Sequence, residues 1–319
     1  MGGLPRLHLA QLPTPVRPLV QASRLTGGRL WVKDDSQSSP LYGGNKVRKL
    51  EWILAQALVT EATNTWTMGP SGSHHVLAVA RFSKLLGLHA HAFLFPEYPS
   101  RHARLLHQAI LESGCRIAEA PSWLQAPTAF LQSLPGPGTY WIPAGASNPL
   151  GNLGFYLAGL ELAQQVAAGL CPKPDVLVVA LGSAGTAAGL WMGLDAAAMT
   201  CRLHAVRVTS AMLANRINLS RQAWELTKFL QRLQAPAAHR TRGPAARHAS
   251  VRVVTDQFGG TYGKPTDQGR RAQAIAAKDG LVLEPVYTAK AFAHALAVAE
   301  RRPDARVFFW NTAARPPGR

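Results

Sequence analysis

Strand-like and helix-like patterns alternate along most of this chain. The run "RLWVK" (residues 29–33) reads as a strand, and "KLEWILAQAL", shortly after it, is apolar at helical spacing. "NTWTM", a glycine turn, "HHVLAVARFSKLLG", "LHAHAFLF", "SRHARLLHQAILESG" and "CRIAEA" continue as strand, helix, strand, helix, strand. The Gly/Pro-rich segment "LPGPGTYWIPAGASNPLGNLG" predicts a crossing between two lobes, after which the alternation resumes. Its members are "DVLVVALGSAGTAAGLWMGLDAAA", "RLHAVRV", "VRVVT", a helix from about Gln268 to Lys278, "LVLEPVY" as a strand, "TAKAFAHALAVAERR" and "RVFFW". Such units predict an α/β protein with open, mostly parallel sheets flanked by helices, and ligands at the carboxyl ends of the strands.

A chain of 319 residues is long enough for two lobes of this kind. Hydrophobic residues at 47% against 16% charged exclude a disordered polyelectrolyte. No apolar run has the length of a membrane span, and Pro5, Pro13, Pro15 and Pro18 interrupt the opening segment. The expectation is a cytoplasmic protein with no membrane partner. Cys115, Cys171 and Cys201 are widely spaced and predict buried thiols, not a disulfide framework or a cysteine zinc site. The net charge of +17 attracts anions in general. Much of it lies at Arg216, Arg221, Arg232, Arg240, Arg242, Arg247 and Arg252, in no recognisable nucleic-acid module, so a solvated surface is expected there.

Two small-residue turns carry candidate chemistry. In "VLVVALGSAGTAAGL" an apolar strand runs through Gly182, Ser183, Ala184, Gly185 and Thr186 into a helix. That geometry aims backbone N–H groups and a helix N-terminus at one point, which suits a phosphate. It is neither a P-loop nor a dinucleotide fingerprint. In "TMGPSGSHHVLAVA", Gly72, Ser73 and the N–H groups of His74 and His75 can hold a carboxylate, although Ser73 is equally a plain helix N-cap. A zinc site built on His74, His75, His89 and His91 is not expected, because adjacent histidines point apart and no carboxylate or thiol is placed with them. Lys46 follows a Gly43-Gly44-Asn45 bend in a chain with nine lysines against 25 arginines. A desolvated lysine amine is the nucleophile for an aldehyde, and pyridoxal phosphate offers both aldehyde and phosphate. The plainer reading makes Lys46, Arg48 and Lys49 the charged first turn of a helix.

These segments, in order and over nearly the whole length, resemble one family. "PTPVRPL", "LWVKDD", "GGNKVRKLE", "SGSHH", "PAGASNPLGNLGFYLAGLELA", "LGSAGTAAGL", "GGTYGKPT", "EPVYTAKA" and "FFWNTAA" are similar to the D-cysteine desulfhydrase and aminocyclopropane-carboxylate deaminase family. These are fold-type II pyridoxal-phosphate enzymes of the tryptophan-synthase-β class. The resemblance implies a large cofactor domain from residues 1–51 plus 150–319, a small domain from 52–149, and a homodimer. It implies that Lys46 holds pyridoxal 5'-phosphate and shuttles the substrate proton, and that Gly182, Ser183, Ala184, Gly185 and Thr186 take the phosphate. Ser73 would act as relay or nucleophile beside the substrate carboxylate, with Gly72, His74 and His75 around it. Tyr262 and Tyr287 would face the substrate, their phenols acting as acid or base if nearby cations lower their pKa.

The implied reaction is α,β-elimination from a small amino acid, giving a keto acid, ammonia and, from cysteine, sulfide. The deaminase pattern has glutamate directly after the tyrosine of "PVY", where this chain has Thr288, which favours a sulfur leaving group over ring opening. Ring opening, β-replacement and a diverged non-catalytic protein are the alternatives. Two positions depart from the pattern. His74 replaces the asparagine expected at the cofactor's 3-hydroxyl, and the closing H-T-G-G turn reads Asn311-Thr312-Ala313-Ala314. Thr312 remains as the contact toward the pyridine nitrogen, while alanines at glycine positions predict backbone strain.

Overall fold

The computed structural model describes residues 3–234 and 248–314. Its strands are β1 (Val16–Pro18), β2 (Arg29–Asp34), β3 (Asn64–Pro70), β4 (His89–Phe95), β5 (Arg116–Glu119), β6 (Thr139–Trp141), β7 (Val176–Leu181), β8 (Arg202–Arg207), β9 (Ser250–Val254) and β10 (Arg306–Asn311). The helices are α1 (Val20–Thr26), α2 (Asn45–Val59), α3 (His74–Leu85), α4 (Arg101–Glu112), α5 (Ala126–Gln132), α6 (Pro149–Ala167), α7 (Gly185–Ala196), α8 (Arg216–Arg232), α9 (Asp267–Lys278) and α10 (Thr288–Arg301). The larger sheet has the order β1-β2-β10-β7-β8-β9 and the smaller β5-β4-β3-β6. All neighbours are parallel except β1, which runs antiparallel to β2.

The continuous apolar run of β10 follows from burial on both faces. Phe308 and Trp310 pack among side chains of α6 and α7, while Val307 and Phe309 pack against Phe292 and Leu296 of α10. Every residue of α7 is buried, which is why its sequence shows no polar face. The smaller sheet is covered by α2, α3 and α4 on one side, and on the other by a cluster of Trp66, Phe93 and Phe130 of α5. A boundary at residues 51/52 falls inside α2, a single unbroken helix whose apolar side packs with α3.

Most sequence-predicted elements form where the pattern placed them. "LVLEPVY" does not: residues 281–284 are irregular and 285–287 form a turn. Pro285 has no N–H for a ladder, and the Glu284 carboxylate accepts the N–H groups of Val286, Tyr287 and Thr288, winding the chain into α10. The three cysteines are buried free thiols. Among the described residues no helix is long and apolar enough to cross a membrane. In the basic stretch, Arg216, Arg221, Arg232 and Arg252 are exposed, and Arg221 pairs with Glu225 one turn along α8. Arg240, Arg242 and Arg247 lie outside the described residues.

Candidate active site

The carboxyl ends of β3, β4, β7 and β10 open on one cavity of about 720 Å³ between the two sheets. Lys46, Ser73, His74, His75, Gly182, Ser183, Ala184, Thr186, Tyr262, Tyr287 and Thr312 all line it. Residues spread over some 270 positions therefore meet in one place, as expected for parallel sheets. Gly72 does not line the cavity, and its N–H is taken by the Glu97 carboxylate.

The bend before Lys46 has a steric cause. A Cβ at Gly43 would overlap the Ser36 carbonyl, and Gly44 has φ 87°. A Cβ at Gly44 would lie 2.8 Å from both the Ala314 nitrogen and the Thr312 carbonyl. The strain expected at Ala313 and Ala314 is absent, since neither has positive φ, and Gly44 absorbs the close approach instead. Asn45 then starts α2, its N–H donating to the Thr312 carbonyl at 3.2 Å. Its side chain joins two parts of the site: Oδ1 accepts from Lys46 Nζ at 2.8 Å, and Nδ2 donates to Thr186 Oγ1 at 3.1 Å.

Burial lowers the Lys46 amine to about 8, against a smaller opposing pull from Glu284. Roughly one tenth of the amine is then unprotonated at pH 7, against roughly one in 3,000 for an ordinary lysine. Capture of added pyridoxal phosphate by stripped protein is accordingly expected to accelerate about tenfold per pH unit below pH 8 and to level off above it. Stopped-flow absorbance measures this directly; a rate still climbing steeply at pH 10 would contradict the lowered pKa.

At the far end of this chain of contacts lies the anion cradle. Ala184 adopts the left-handed conformation (φ 70°) and caps α7, turning successive N–H groups inward. Ser183 Oγ meets Ser147 Oγ at 2.7 Å. Lys49, one helical turn after Lys46, is 1% exposed and donates to the Gly145 carbonyl (3.1 Å) and Ser147 Oγ (3.2 Å), with no carboxylate bonded to it among the described residues. It presses against Gly185, where a Cβ would lie 2.9 Å from its Nζ. Desolvation first, and the Lys46 charge second, hold its pKa well below the usual lysine value. A buried amine lacking a counter-carboxylate beside a nest of N–H groups fits a phosphate, and Lys46 fits an aldehyde. The residues present therefore suit pyridoxal phosphate at both ends.

Arg48 does not belong to a solvated first turn. It is 2% exposed and grips both oxygens of Asp35, Glu161 and the Thr14 hydroxyl, while Lys33 also reaches Glu161. This buried cluster pins α2 to the larger sheet.

Ser73 caps α3, its Oγ accepting the Val76 N–H at 3.2 Å. His75 is buried, with Nε2 at 2.8 Å from Thr67 Oγ1. His74 Nδ1 meets the Tyr42 hydroxyl, and its Nε2 meets His102. His89 and His91 sit at the amino end of β4, away from this group. The hydroxyls of Tyr262 and Tyr287 are 2.5 Å apart. Their pKa values are not lowered by cations: burial pushes both above the ordinary tyrosine value, and Glu97 and Glu284 add to the rise. Glu97, Glu284, Tyr42 and His102 went unnoticed in the sequence, and Lys49 was read there only as part of a charged helix turn. Only Lys49 left a usable signal there, its i,i+3 spacing from Lys46 on one helix face.

A two-sheet α/β protein with a lysine and an anion cradle in one interlobe cavity defines a class, the fold-type II cofactor enzymes. The profile described as "Pyridoxal-phosphate dependent enzyme" matches residues 7–313, and the chain belongs to that family, with pyridoxal 5'-phosphate as its cofactor. Among curated proteins, a D-cysteine desulfhydrase of Salmonella schwarzengrund (strain CVM19633) is 33% identical, covering 98% of this chain and 94% of its own length. Its counterpart in Salmonella choleraesuis (strain SC-B67) is 34% identical with the same coverage. Among solved structures, an ACC deaminase homologue has TM-score 0.81 and 26% identity over 98% of this chain and 93% of its own. A fungal L-serine ammonia-lyase from Rhizomucor miehei, at TM-score 0.66 and 16% identity over 97% and 95% of the two chains, shares the fold.

Proposed function

We propose that the chain catalyses α,β-elimination from a small amino acid, in the manner of a D-cysteine desulfhydrase, releasing a keto acid, ammonia and sulfide. The observation that carries this reading is a lysine of lowered pKa sharing one cavity with two neutral, mutually hydrogen-bonded phenols. When bound, the cofactor supplies an electron-withdrawing ring for the charge left at the substrate's α-carbon. Lys46 moves the α-proton, as its near-neutral pKa allows. Tyr262 and Tyr287 are kept protonated by burial, so they act as donors: one phenol hands a proton to the departing sulfur while the other steadies it. The first N–H groups of α3, at His74 and His75, receive the substrate carboxylate, and Ser73 fixes that turn by its cap. Gly182, Ser183, Ala184, Gly185, Thr186 and Lys49 hold the phosphate, with His74 and Thr312 along the ring. Thr288 turns its hydroxyl to Glu284 at 3.0 Å, so position 288 offers no carboxylate for the deaminase reaction.

The two-domain division at 1–51 plus 150–319 and 52–149 belongs to the same reading. So do a homodimer and a cytoplasmic setting. Exposed Ile217 and Trp224, two turns apart on α8, support the first, and three free thiols support the second. Sedimentation of the purified protein tests the dimer.

Cofactor-loaded protein mixed separately with D-cysteine, L-cysteine and the cyclopropane amino acid should release sulfide and keto acid from D-cysteine fastest. No sulfide from either enantiomer would reject the proposal. Tyr287→Phe is expected to lower kcat by about 10²-fold with cofactor absorbance retained; an unchanged kcat removes Tyr287 from the proton path.

A further inference from the structure

We propose that His74, His102 and Glu284 form a binding site for one divalent first-row transition ion of the zinc class in the wall of the cavity. His74 opens α3, His102 lies in the first turn of α4 and Glu284 precedes α10, yet their donor atoms all lie within 4.8 Å of one another. The two Nε2 atoms are 3.2 Å apart. Ligands held at about 2.0–2.1 Å by a tetrahedral zinc stand about 3.3 Å apart, so the two rings are already at coordination spacing.

The surroundings match a ligand set. His74 Nδ1 is 2.5 Å from the Tyr42 hydroxyl, a bond that fixes the ring and leaves Nε2 for an ion, as the outer nitrogen of a metal-bound histidine usually does. Glu284 Oε1 is occupied by the N–H groups of Tyr287 and Thr288 and by the Thr288 hydroxyl. Among the described residues Oε2 accepts a single bond, from Val286, which leaves it a lone pair. Two imidazoles and one carboxylate suit zinc or its neighbours; magnesium and calcium want an all-oxygen shell. Because His74 and Glu284 line the cavity, the remaining coordination position opens into it. The site shares His74 with the proposed cofactor pocket, but it rests on residue geometry and survives if the substrate is a different amino acid.

The test uses cofactor-loaded protein stripped with a chelator, dialysed, and titrated with zinc against a chromophoric indicator. One equivalent of zinc should bind, and cobalt in its place should give the visible bands of a tetrahedral site. His102→Ala and His102→Gln should each weaken zinc binding at least about tenfold and abolish those bands, with circular dichroism unchanged. His107→Ala, on the same helix but paired with Glu119, should bind as the parent does. Failure to take up zinc stoichiometrically, or equal affinity in the His102 variants, overturns the proposal; in the second case the zinc resides on surface histidines.

Discussion

Lys46→Ala protein is expected to fold, to purify colourless, and to lose elimination activity by on the order of 10⁴-fold or more, because under the proposed function one amine both captures the cofactor and moves the proton. The side chain is held by Asn45 and faces the cavity, and no other described element hangs on it. Lys49 is the natural rival, since it is also buried, has a depressed pKa and lies one turn away on the same helix. Its contacts at Ser147 and Gly145 put it beside the cradle, so Lys49→Ala should weaken cofactor affinity and leave the colour of saturated enzyme intact. Absorbance spectra of both variants with excess cofactor decide between them. A yellow Lys46→Ala protein alongside a colourless Lys49→Ala protein would exchange their roles.

Arg48→Met should destabilise the fold by about 3–5 kcal/mol, read as a lower urea midpoint, because it strands the buried Asp35 carboxylate. Asp35 is fully buried and would keep only the Thr14 hydroxyl and the Trp310 Nε1–H, each at 2.9 Å. Glu161 in the same cluster predicts an acid limit. Burial alone would raise its pKa, but hydrogen bonds and charge from Arg48, joined by Lys33, hold it at about 2 against an ordinary 4.5. A carboxyl lowered in the folded state stabilises it above the unfolded value, and that contribution fades as pH falls from about 4.5 toward 2. Urea midpoints at pH 6 and pH 3 should therefore drop more steeply for the parent than for Glu161→Gln. Equal slopes would remove Glu161 from the acid response.

The strand and helix pattern was legible because parallel sheets buried on both faces write continuous apolar runs, as in β7 and β10. It failed at "LVLEPVY", where composition favours a strand but Pro285 and the Glu284 carboxylate bind the backbone into a turn. The glycine pair before Lys46 and the small-residue turn after β7 were legible as bends. What they bend around was not. Gly44 is required by Thr312 and Ala314, more than 260 positions away, and nothing local to "GGNK" reveals that contact.

By itself, the sequence determined the α/β class, the order of elements, the glycine bend before Lys46 and the small-residue turn between β7 and α7. Each of these is written in local periodicity or local backbone freedom, and the tertiary structure only had to bring them together. Protonation and partnership were decided in three dimensions. The direction of the tyrosine shifts, the depressed amines, the Arg48–Asp35–Glu161 cluster and the meeting of His74 with His102 and Glu284 all depend on desolvation and on charges from distant segments. Those fields fall off within a few ångströms, so they exist only where the folded chain sets such groups side by side.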